Sequence, residues 1–66
     1  MNYIESIAEE LFSEFLEYCG DSDQSKLIAA KSAIKHINLS KKNGYDIKFG
    51  DEIISFLEKK YILCIS

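Results

Sequence analysis

The chain has 66 residues, no proline, eight lysines, no arginine, eleven acidic groups and a net charge of −3. A chain this short holds one core and buries only about 60% of its unfolded surface, which excludes several domains and leaves little volume for an enclosed substrate pocket. No apolar run approaches the ~20 residues of a membrane-spanning helix, and two cysteines with one histidine fall short of the about four ligands of a closed metal site, so no membrane, metal or cofactor partner is expected.

The lack of proline and the abundance of Glu, Lys, Leu, Ala and Ile predict an all-α fold, a single domain over residues 1–66. The first helix is expected over 2–19. Asn2 serves as N-cap with Glu5 three residues on, and Ile4, Ile7, Ala8, Leu11, Phe12, Phe15, Tyr18 and Cys19 recur at helical spacing on one face. Gly20 suits the residue after the helix, where a left-handed backbone is common. Asp21, Ser22 and Asp23 form a turn that offers capping oxygens to a second helix, expected over 22–42 and folded back on the first as a hairpin.

In the second helix Leu27, Ala30, Ala33, Ile34 and Ile37 make the apolar stripe, while Ser25, Ala29, Ser32 and Ala33 form a strip of small side chains that admits a close neighbour. Lys41 and Lys42 suit its C-terminus and Gly44 its terminating residue, although Asn43 and Gly44 together are also a hairpin signal. Tyr45, Ile47 and Phe49 alternate with Asp46 and Lys48, as an extended connector does. A third helix is expected at about 51–61, with Asp51 and Glu52 in its first turn, Lys59 and Lys60 in its last, and Ile53, Ile54, Leu57 and Tyr61 on one face. The apolar run 61–65 should be tied down. The alternative fold is α+β, with short strands at 45–49 and 61–65. The expected core is Ile4, Ile7, Leu11, Phe15, Ala30, Ile34, Ile37, Ile53 and Leu57.

Charge is divided along the chain. Residues 1–23 carry seven acids and no base, a formal −7, whereas residues 24–66 carry all eight lysines against four acids, a formal +4; together they give the net −3. Such asymmetry points to an acidic helix lying on a basic one, or to an acidic face kept for a basic partner.

Enzyme chemistry fails on inventory, so a non-enzyme is expected. His36 lies off the second helix's stripe and reads as a surface histidine, and a Cys19/His36 pair would need a pocket that three short helices have no room for. Asp21, Asp23 and Ser25 resemble the opening positions of an EF-hand calcium loop, but Lys26 stands where that loop needs glycine and Ser32 where it needs a bidentate glutamate. Cys19 and Cys64 read as buried free thiols; a disulfide between them would need an oxidising compartment. The N-terminal stretch is acidic where a secretory leader is basic, so the cytoplasm is the expected compartment. The low-arginine, lysine- and isoleucine-rich composition suits an A+T-rich bacterial or phage genome.

These observations favour a small helical protein-protein interaction module, self-associating or acting as an inhibitor, adaptor or antitoxin-like partner. Its candidate binding residues are Glu10, Glu14 and Glu17 on the first helix, with Leu16, Ile28 and Phe56 as apolar residues that the helical stripes leave uncovered. A sharper variant has the glutamate face imitating nucleic acid on a basic target. The plainer expectation for that face is solvation with partial neutralisation by lysines of the neighbouring helix. The alternative function is a helix-turn-helix-like nucleic-acid-binding regulator using Lys31, Lys35, Lys41 and Lys42, which the missing arginines and the acidic net charge disfavour.

Overall fold

The computed structural model describes residues 3–63. Three helices follow one another: α1 over Tyr3–Cys19, α2 over Asp23–Lys42 and α3 over Gly50–Leu57, the last running on into a π-helical turn over Glu58–Ile62. No strand occurs among the described residues. This is the all-α three-helix arrangement, and the α+β alternative is corrected: 45–49 is an irregular link, 61 and 62 belong to the π-helical turn, and 64–65 lie outside the described residues.

The local chemistry explains each boundary. Gly20 takes φ +104 and donates its N–H to the Leu16 carbonyl at 3.0 Å, closing α1 with a left-handed cap. Ser22 then opens α2 from an extended conformation, its hydroxyl accepting the Ser25 N–H at 3.1 Å. The Ser25 hydroxyl in turn donates to the Cys19 carbonyl at 2.7 Å, tying the two helix ends together. The loop hydroxyls of the EF-hand-like stretch are thus engaged in capping. At the far end of α2, Gly44 takes φ +90, its N–H reaches the Lys41 carbonyl and the Tyr45 N–H reaches that of Ser40, a Schellman closure. Asn43 and Gly44 therefore end a helix and do not turn a hairpin. The Asn2 cap lies outside the described residues.

Packing is set by small residues. Ala8 on α1 and Ala29, Ala30 and Ala33 on α2 are fully buried, which lets the hairpin helices approach closely; Phe12, Ile37, Ile53 and Leu57 fill the space between them and α3. The expected core is right for Ala30, Ile37, Ile53 and Leu57. It is corrected for Ile4, Ile7, Leu11, Phe15 and Ile34, which are half-buried around it. Where alanines let backbones meet, the longer apolar residues beside them are displaced to the rim. Tyr18, assigned to the apolar face, is 89% exposed.

α3 begins under constraint. Phe49 precedes it with φ 61, a left-handed conformation unusual for a bulky residue, and its ring meets Tyr3 edge-on at 6.1 Å. Gly50 follows because a Cβ there would sit 3.3 Å from Ile37 Cγ2. Past Leu57 the chain widens into the π-helical turn, where the Leu63 N–H bonds the Glu58 carbonyl five residues back. Tyr61 then stacks on Phe12 with ring centroids 3.9 Å apart and planes within 7° of parallel.

Candidate functional site: two charged outer faces

Residues three, four and seven apart on a helix share a face. On α1 the face opposite Ala8 and Phe12 carries Tyr3, Glu10, Glu14 and Glu17, with Tyr18 at its edge, all exposed. On α2 the face opposite Ala29 and Ala33 carries Ile28, Lys31, Lys35, Leu39 and Lys42, at steps of three, four, four and three; all are exposed, Ile28 by 54% and Leu39 by 47%. α1 contains five glutamates and no lysine, and Lys26 through Asn43 contains five lysines and no acid. One outer face is acidic with tyrosines, the other basic with aliphatics.

The two faces do not neutralise each other. Among the described residues the ion pairs are Lys41 to Asp51, linking α2 to α3, and Lys60 to Glu9 at 2.9 Å, linking the π-helical turn to α1. The partial neutralisation expected of a neighbouring helix is therefore confined to Glu9, and it comes from the third helical element. Glu9 is the hub there, because its Oε1 and Oε2 also accept the Tyr61 hydroxyl at 2.8 and 2.9 Å. The hydrogen bond to Glu9 raises the Lys60 pKa above 10.5. Burial, reinforced by the same carboxylate, raises that of Tyr61 above 10.0.

Placement within α1 adds to the contrast. Its last turn holds no basic residue, and Glu17 lies within that turn, at the negative end of the dipole. Glu10 and Glu14 repel at a spacing of four, as Lys31 and Lys35 do on α2. Each such placement costs a few tenths of a kcal/mol.

The sequence-derived candidates thus separate. Glu10, Glu14 and Glu17 form one face, while Ile28 sits on the lysine face of α2 and is not part of theirs. Leu16 and Phe56 are half-buried against the core, with the Lys60 ammonium 5.6 Å from the Phe56 ring. Lys31, Lys35 and Lys42 share a face; Lys41 turns aside to Asp51. Tyr18 and Leu39 complete the faces and escaped sequence reasoning as surface residues of a site, although the step of four from Lys35 to Leu39 is visible in the sequence. His36 is exposed beside Phe15, ring centroids 5.8 Å apart, and Cys19 is half-buried at the end of α1; Cys64, and with it any pairing to Cys19, lies outside the described residues.

Concavity is slight. A shallow depression of about 350 Å³ lies among Glu14, Phe15, Glu17 and Tyr18, and another of about 340 Å³ lies between α1 and α3, lined in part by Glu5, Glu52, Phe56 and Lys59. Among the described residues no three metal-ligating side chains gather, and no helix is long and apolar enough to cross a membrane. No family model matches the chain, and neither a curated protein nor a solved structure matches it.

Proposed function

We propose that this protein is a non-enzymatic, helical protein-protein interaction module that binds through the outer face of α1. The observation that carries this reading is the set Glu10, Glu14 and Glu17: three exposed carboxylates in register, Glu17 against the helix dipole, none of them in an ion pair among the described residues while Glu9 beside them is paired. Folding gains nothing from that arrangement, whereas a basic partner would gain both charge complementarity and contact with Tyr18. An NMR titration with a lysine-rich helical peptide tests it. Shift changes should centre on Glu10, Glu14, Glu17 and Tyr18 and disappear in the E10K/E14K/E17K variant; an unperturbed α1 face would overturn the reading.

The alignment of Lys31, Lys35 and Lys42 supports a second reading, contact with a nucleic-acid backbone. Exposed Ile28 and Leu39 on the same face, and the engagement of Lys41 by Asp51, weigh against it. Titration with duplex DNA decides: affinity that falls steeply with salt and is lost in K31E/K35E would favour it over the peptide-binding reading.

A further inference from the structure

We infer that the partner of the α1 face is the α2 face of a second copy of this chain, which deepens the proposed function and rests on it. The two faces are complementary in charge and in pitch. Glu10 and Glu14 lie one helical turn apart, about 6 Å along the axis, and so do Lys31 and Lys35. Set against each other, the two pairs align whichever way the helices run. The flanking residues add contact: exposed Tyr18 lies one turn beyond Glu14, and exposed Ile28 and Leu39 flank the Lys31 and Lys35 pair, so aromatic and aliphatic side chains sit beside the charges on both faces. Each helix carries like charges in repulsion on its own face, and the contact relieves both at once. Within one molecule the faces do not meet, since the side of α1 that carries Ala8 and Phe12 and the side of α2 that carries Ala29, Ala30 and Ala33 are the buried ones, and no ion pair links the two helices among the described residues. The contact is therefore intermolecular and heterologous: each copy offers one acidic and one basic face, and the interaction repeats around a ring or along a chain.

Sedimentation of the full chain over a protein concentration series, at about 0.1 M and about 1 M salt, where the screening length falls from about 10 to about 3 Å, provides the test. The expected result is a mass rising above the 7.6 kDa monomer at low salt, with association weakened about tenfold or more at high salt. Two variants assign the faces. E10K/E14K/E17K makes both faces basic and K31E/K35E makes both acidic; each alone should stay monomeric with unchanged helicity by circular dichroism, and an equimolar mixture should associate. A wild-type monomer at millimolar concentration in low salt, association that persists in both variants, or a mixture that stays monomeric overturns the self-pairing. The lysine-peptide titration is independent of that outcome, so a monomer that still binds the peptide through α1 would sink the self-pairing and leave the interaction module standing.

Discussion

Glu9 shows how much one residue can organise in so small a protein. It is one of five glutamates on α1, and among the described residues it alone receives both an ammonium and a phenol, from Lys60 and Tyr61, and so fastens the end of the third helical element to the first. Tyr61→Phe keeps the stack on Phe12 and loses the hydroxyl; a cost of about 1 kcal/mol is expected in urea unfolding. Tyr61→Ala loses the ring too and should cost about 3 kcal/mol. The same cluster predicts alkaline sensitivity. Folded-state pKa values above 10.5 for Lys60 and above 10.0 for Tyr61 mean that the folded chain binds protons more tightly than the unfolded one in that range. Their stabilisation is complete below about pH 10 and is lost as pH rises through the raised values, so the unfolding midpoint should fall above pH 10, and fall less in Glu9→Gln. None of this partnership is written in the spacing of Glu9, which looks like its neighbours until Tyr61 is brought beside it from 52 positions away.

At the scale of the element, α2 is built for close approach and α1 against its own interest. Ala33 is fully buried where the helices meet, so Ala33→Leu should overpack the junction and cost about 1–3 kcal/mol by thermal unfolding. Glu17, by contrast, opposes the α1 dipole without a partner among the described ion pairs. Glu17→Lys should therefore raise stability by about 0.3–1 kcal/mol while weakening association, a trade of stability for binding that a merely structural residue would not show. The ends of the elements were the most legible part of the sequence. Gly20, Ser22 and Gly44 announce where helices stop and start because their conformational freedom and hydroxyl chemistry act locally. The depth of each apolar residue was less legible. Periodicity tells which face is inward, but Ile4, Leu11 and Phe15 share that face with Ala8 and Phe12, and only the crossing of the helices decides which of them lie at the centre.

At the scale of the whole molecule, the division of charge persists into three dimensions. Glutamates of α1 and lysines of α2 are sequential neighbours in an antiparallel hairpin, yet the alanine-lined interface turns them away from each other. Raising salt from about 0.1 to about 1 M should stabilise the monomeric variant K31E/K35E, whose two reversed lysines take the net charge from −3 to −7 and add self-repulsion that salt screens, while wild-type association declines. The sequence by itself determined the three helices, the caps at Gly20, Ser22 and Gly44, the inward faces apart from Tyr18, and the separation of acid from base, because each depends on residues within a turn or two of one another. Tertiary structure alone decided that Glu9 is paired while Glu10, Glu14 and Glu17 have no ion pair among the described residues, that Lys41 leaves the lysine row for Asp51, and that Leu16 and Phe56 belong to the margin of the core. Those outcomes depend on where the third helical element lies across the hairpin, and contacts between residues some ten to fifty positions apart leave no periodic trace in the chain.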